Sequence, residues 1–204
     1  MEIVLASRNL GKIREFRKML SEVIGLDVDS LLSFPDYPSP EETGTTFEEN
    51  ATLKATSAAK ALNKIVLADD SGLVVPSLDG EPGVHSARYA GEDATDHENT
   101  QKLLEALKDK SDLERQAYYE CALVLAGPEG EVLKISKGHC EGIIAEEARG
   151  RHGFGFDPVF IKHDYDKTFS ELSDDIKNRI SHRRKALDSV KAYLEGMMSR
   201  ATST

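Results

Sequence analysis

Ile3-Val4-Leu5-Ala6-Ser7-Arg8-Asn9-Leu10-Gly11-Lys12 opens the chain with a short apolar run of strand type, then a polar turn, then the start of a helix. Ile13, Phe16, Leu20, Val23 and Ile24 follow at helical spacing, which predicts an apolar helix face and places Lys12 in the first turn. A strand that feeds a turn and a helix is the repeating unit of α/β proteins, whose helix starts offer free N–H groups and a positive dipole end to phosphate. Lys12 adds a full charge at that place. A single glycine and no Gly-Lys-Ser/Thr disfavours P-loop chemistry, and the plain alternative makes Ser7 a turn former and Lys12 a solvated helix residue.

Leu26 to Leu32 reads as a second strand, and Phe34-Pro35-Asp36-Tyr37-Pro38-Ser39-Pro40 breaks regular structure after it. Thr46-Phe47-Glu48-Glu49 has capping-box spacing and starts an alanine-rich helix to about Asn63, with Asn50, Lys54 and Ser57 as its polar stripe. Ile65-Val66-Leu67-Ala68 is a buried-type strand expected to end at Asp69-Asp70. Residues 76–94 are expected to form one long loop, either a lid or disordered, and Thr95 caps the next helix, which carries Leu103, Leu104 and Leu107. Runs 117–126 and 131–137 flank Gly127-Pro128-Glu129-Gly130 as a hairpin, a third strand is expected near 142–146, a short one at 159–161, and mainly helix from 168 to 198. The expected fold is α/β: a mixed, twisted central sheet flanked by helices, in one domain over residues 1–204.

Composition removes several function classes. No apolar run reaches the roughly 20 residues that cross a bilayer, and the start lacks a basic n-region, so the expectation is a cytoplasmic protein with no membrane partner. A net charge of −10 repels polyanions and argues against nucleic acid as a partner. Lys12, Lys54, Lys177, His182, Arg183 and Arg184 are nonetheless candidates to converge, and a small positive concavity suits a small anionic ligand. Cys121 and Cys140 have no CxxC spacing and read as packing residues.

Asp69 and Asp70 fall where α/β sheets place catalytic groups. Neighbouring strand residues point to opposite faces, so one of the two is expected in the site and the other to brace the turn through backbone N–H groups. Mg²⁺ takes one or two carboxylates plus substrate phosphates, which makes Glu41 or Glu42 the second acid. In Gly153-Phe154-Gly155-Phe156-Asp157 the glycines allow close backbone approach and a ring offers a stacking face for a base, or else this is a tight turn with two core phenylalanines. Ser181-His182-Arg183 supplies hydrogen-bond donors, which match a keto oxygen and leave an exocyclic amine unpaired; a solvated basic face is the alternative.

Six short segments in this order resemble the inosine triphosphate pyrophosphatase family, the Ham1/RdgB-like enzymes that cleave deaminated purine nucleoside triphosphates. They are Ser7-x-Asn9-x-x-Lys12, Glu41 to Ala51, Ala68 to Leu73, Ser86-Ala87-Arg88-Tyr89, Gly153 to Pro158 and Ile180 to Arg183. The resemblance covers nearly the whole chain and implies a two-lobed fold with a cleft between the lobes, and a homodimer. It implies Asp70 as proton acceptor, Glu41 and Asp70 at a Mg²⁺ site, and Ser7, Arg8, Asn9, Leu10, Gly11 and Lys12 on the phosphate chain; Lys54, one of the basic residues expected to converge, is a further substrate-binding candidate. Ser71, Phe154, Gly155, Phe156, Asp157, Lys177, His182 and Arg183 are implied to surround the nucleoside. Ser7 stands where the family more often has threonine, and Phe156 where tyrosine is commoner.

The expected reaction is Mg²⁺-dependent hydrolysis of ITP, dITP or XTP to the monophosphate and pyrophosphate. A Maf-like pyrophosphatase acting on pyrimidine triphosphates and a non-catalytic nucleotide sensor are the rivals. The Asp69-Asp70 pair counts against the sensor, which has no need of an acid that activates water.

Overall fold

The computed structural model describes residues 1–201. Its elements are β1 (Glu2–Leu5), α1 (Leu10–Leu20), β2 (Asp27–Ser30), α2 (Phe47–Leu62), β3 (Val66–Val74), α3 (Asp96–Ala106), β4 (Gln116–Ala126), β5 (Val132–Ile144), β6 (Phe160–Lys162), α4 (Asp174–Ile180) and α5 (His182–Ala201). The strands form one mixed six-stranded sheet in the order β2-β1-β3-β4-β5-β6, flanked by helices, as the sequence led us to expect. None of the helices among the described residues is long and apolar enough to cross a membrane.

The chain divides into two compact units, and β3, β4 and β5 contribute residues to both. The first comprises 1–70, 121–138 and 183–201. Here β1 pairs in parallel with β2 and with β3, Val4 against Val66 and Leu5 against Leu67. The Ala6 N–H continues that ladder to Leu67 O at 2.9 Å, so the turn after β1 leaves the sheet beside the residues that follow Leu67. Its core gathers Ile3 and Leu5, Phe16, Met19 and Leu20 of α1, Leu123 and Leu125 of β4, and Leu187, Val190 and Leu194 of α5. Each such side chain contributes about 1.5–3 kcal/mol by leaving water. Helix α2 has the expected capping box: Thr46 Oγ1 accepts from the Glu49 N–H at 3.2 Å and Glu49 returns a carboxylate to the Thr46 N–H.

The second unit comprises 71–120 and 139–182. Its core is more aromatic, with Tyr89, Tyr119, Phe156, Phe160 and Phe169 among Leu73, Leu103, Leu107 and Ile144. Strands β5 and β6 pair antiparallel, Gly142 against Lys162 and Ile144 against Phe160. A Cβ at Gly142 would lie 2.2 Å from Ile161 O, so the close approach of these strands requires glycine there.

Four expectations of local structure are corrected. Strand β3 does not end at the acidic pair but runs through it to Val74. Residues 76–94 are not a featureless loop: one turn of 3-10 helix spans Pro76–Leu78, another run spans Gly83–Arg88, and Tyr89 is buried in the core. The separate strand expected near 142–146 is the far end of β5, because a 13-residue strand continues through Gly138 and Gly142 without a turn. Helix α1 stops at Leu20 with Ser21 as its C-cap, so Val23 reaches the core from beyond the helix while Ile24 is 92 % exposed.

Candidate active site

In the first unit the turn after β1 is built by its own side chains. Ser7 Oγ accepts from the Asn9 N–H at 3.1 Å, and Asn9 caps α1 by accepting from the Lys12 N–H at 3.0 Å. Capping leaves the Lys12 side chain one helical turn in, where its ammonium meets Asp69 Oδ2 at 2.5 Å. Arg8 is held elsewhere: it donates to Ser39 Oγ at 2.7 Å and to Tyr37 O at 2.6 Å, clamping the proline-rich segment. Leu10 is exposed.

Asp69 is the centre of a buried charge network. Besides Lys12 it faces the Arg183 Nε at 3.6 Å and accepts from the Cys121 thiol at 3.1 Å. Arg183 in turn pairs with Glu15 at 2.9 Å. Burial works against the charged form of Asp69, but Lys12 and Arg183 more than offset it and hold the carboxyl well below the usual carboxylate range. These pairings correct the sequence reading that the second acid braces a turn through backbone N–H groups. A strand can carry the pair through its interior because bound cations, not solvent, neutralise it.

Asp70 has a different environment. Its Oδ1 meets the Lys54 ammonium at 2.7 Å, and Lys54 also meets Glu42 at 3.1 Å. Burial pushes the Asp70 carboxyl up, Lys54 and Lys12 offset this only in part, and Glu42 adds to the rise. Burial alone would depress the Lys54 ammonium, but Asp70 and Glu42 outweigh it and raise it. Asp70 Oδ2 is buried and has no hydrogen-bond partner among the described residues. Of the two acids offered by the sequence, the structure brings Glu42 to this cluster, while Glu41 is exposed. Arg184 lies outside it, paired with Glu22 and Asp188.

The oxygen chemistry of this corner fits a hard divalent cation. Asp70 Oδ2 is a buried acceptor with capacity to spare, and Glu42 supplies further carboxylate oxygen nearby through Lys54. No group of three or more His, Cys, Asp or Glu closes around a point among the described residues. Mg²⁺ takes one or two carboxylates plus substrate phosphates, and the Asp70 and Glu42 oxygens are of that donor type.

In the second unit, the glycine-rich segment folds back on Asp157, whose Oδ2 accepts from the Phe154 N–H at 2.9 Å and pairs with the Lys177 ammonium. Gly153 has φ +80, and a Cβ there would fall 2.1 Å from Asp157 Oδ2, so this turn admits only glycine. Lys177 is 3 % exposed and lies over the Phe154 ring at 4.8 Å, a cation–π contact in a dry setting. The Gly155 N–H donates to Asp96 Oδ2 at 2.7 Å, tying the segment to the start of α3. His182 is buried with its ring stacked on Tyr119. Phe156 is 2 % exposed and packs in the aromatic core of this unit. Ser71 opens this unit, half-buried on β3 directly after Asp70.

Sequence reasoning missed Glu15, Cys121, Asp96 and Tyr119. Glu15 was open to it, since it stands three residues after Lys12 on the same helix face. Cys121 shares its face of β4 with Tyr119 by strand alternation, but nothing in the sequence pairs either residue with Asp69 or His182.

Capped helix starts and buried carboxylate–lysine clusters on a mixed α/β sheet are features that phosphate-handling proteins share. A family model described as the Ham1 family matches residues 3–193, and the chain belongs to that family. It is 54 % identical over 198 residues to a dITP/XTP pyrophosphatase of Protochlamydia amoebophila, covering 97 % of this chain and 99 % of that one. It is 51 % identical over 194 residues to a dITP/XTP pyrophosphatase of Bacillus subtilis, covering 95 % and 97 %. Among solved structures, the Staphylococcus aureus Ham1 protein superposes with a TM-score of 0.83 at 47 % identity, covering 97 % of this chain and all (100 %) of that one.

Proposed function

We propose that this protein is a nucleoside triphosphate pyrophosphatase that hydrolyses dITP, XTP and ITP to the monophosphate and pyrophosphate, working in the cytoplasm with Mg²⁺. Asp70 carries the reading: a buried carboxylate raised above its usual range, with one oxygen on Lys54 and the other without a partner among the described residues. A water whose proton passes to Asp70 forms its new O–P bond as the bridging P–O bond between the α and β phosphorus atoms breaks, and pyrophosphate departs. Asp70, with Glu42 or Glu41, would hold the Mg²⁺, which supplies charge neutralisation and orientation for the triphosphate. Lys12 and Lys54, and the free N–H groups at the start of α1, are assigned to the phosphate chain.

The nucleoside is assigned to residues of the second unit, where Phe154 would offer a ring face and His182 a donor to a keto oxygen at purine position 6. A site built to hydrogen-bond that oxygen rejects an amino group by leaving buried donors unpaired, a discrimination of about 10⁴-fold or more. Arg183, committed to Glu15 and Asp69 in the first unit, acts on this account by bracing Asp69. The homodimer implied by the resemblance is part of the proposal, and sedimentation equilibrium should return twice the 22.4 kDa chain mass. The activity is tested by incubating the protein with Mg²⁺ and dITP: pyrophosphate and dIMP are expected, and release of orthophosphate alone would refute it.

A further inference from the structure

The His182 imidazole lies flat on the Tyr119 ring, with centroids 4.5 Å apart and planes 9° from parallel. Tyr119 is itself locked. Phe160 meets it edge-on at 4.7 Å and 62°, Phe169 lies parallel at 6.0 Å and 1°, and both phenylalanines are fully buried. Tyr119 is 7 % and His182 1 % exposed, so neither ring has room to turn. His182 is the first residue of α5 and follows Ser181, the C-cap of α4 whose N–H donates to Lys177 O at 3.0 Å, so its backbone is fixed as well.

An imidazole donates in its own plane and nowhere else. The ring on which it lies therefore decides where its N–H can point. We infer that Tyr119 is a positioning residue for base selection: its face, not its hydroxyl, sets the plane of the His182 imidazole and so aims the donor that tells a 6-keto purine from a 6-amino purine. The inference rests on the assignment of His182 to the base. Tyr119 needs no contact with substrate for this, which is why its effect should fall on selectivity and KM and spare the chemical step.

The test compares the native protein with Tyr119→Phe, Tyr119→Leu and His182→Gln, measuring kcat and KM for dITP and dATP. An aromatic pair of this kind contributes about 0.5–1.5 kcal/mol, so Tyr119→Leu should raise the KM for dITP and shrink the dITP-over-dATP preference by about three- to tenfold, with kcat little changed. Tyr119→Phe keeps the face and should restore native values. Proton NMR of the native protein and of Tyr119→Phe supplies a measurement that does not depend on the leucine variant folding. The His182 ring protons, assigned by their loss in His182→Gln, should lie upfield of exposed histidines in both through the Tyr119 ring current. Unshifted ring protons, a phenylalanine variant as unselective as the leucine one, or unchanged preference in Tyr119→Leu while His182→Gln loses it would each overturn the inference. If His182→Gln also kept full preference, the assignment of His182 to the base would fall first, and the inference with it.

Discussion

The two units solve the burial of charge in opposite ways. In the first, Lys12, Arg183, Glu15 and Asp69 neutralise one another in a branched network, and Lys54, Asp70 and Glu42 form a second cluster beside it. In the second, a buried ion pair, Lys177 with Asp157, sits among aromatic rings. The difference follows the chemistry proposed for each. A triphosphate and a divalent ion bring several charges, and a network of charges can meet them with little rearrangement. A purine brings none, and flat faces with a few fixed donors read it better than a dense field.

The sharpest way to break this comparison is Asp70→Asn. The substitution keeps shape and removes the proton acceptor, and we expect kcat for dITP to fall by about 10²–10⁴-fold, measured as pyrophosphate release, with the thermal midpoint near native. Next in size is Asp69→Asn, which strips Lys12 and Arg183 of their shared counter-ion. Leaving buried charge uncompensated should destabilise the protein by about 3–5 kcal/mol in urea unfolding, whereas a drop below about 1 kcal/mol would mean that solvent reaches this network.

Lys177→Met probes the other side of the contrast. It leaves Asp157 still bonded to the Phe154 N–H, so we expect a loss of about 1–3 kcal/mol in stability and a larger rise in KM than fall in kcat. The reverse kinetic pattern would mean that Lys177 serves the reacting phosphate rather than the base. The smallest effect is expected at Thr46→Ala, which removes half of the α2 capping box and should cost about 1 kcal/mol without altering dITP-over-dATP preference.

Much of this architecture was legible in the sequence, for reasons that individual residues make plain. Helices α2 and α3 were read from Thr46 and Thr95 because capping chemistry is local. The α/β class followed from the strand-to-helix start at Ile3 to Lys12 for the same reason. What failed was non-local. β3 continues through Asp69-Asp70, whose counter-charges Lys12, Lys54 and Arg183 arrive from distant segments, and no short stretch carries that information. Phe156 packs in the aromatic core, a contact with distant residues that its own short segment does not announce. That the Lys12 ammonium meets Asp69, 57 positions along the chain, was likewise invisible to any local pattern. The aromatic bed under His182 left no trace, because Tyr119 reads in isolation as one more buried strand residue.

One measurement bears most directly on the central claim, that buried carboxylates beside lysines cleave a triphosphate whose base is checked by fixed donors. With Mg²⁺ present, the purified protein is given dITP, XTP, dATP and dCTP in turn, and pyrophosphate and orthophosphate are quantified separately. We predict pyrophosphate with the matching monophosphate from dITP and XTP, and rates at least about 100-fold lower for dATP and dCTP. Orthophosphate as the product, or comparable rates on all four, would contradict it.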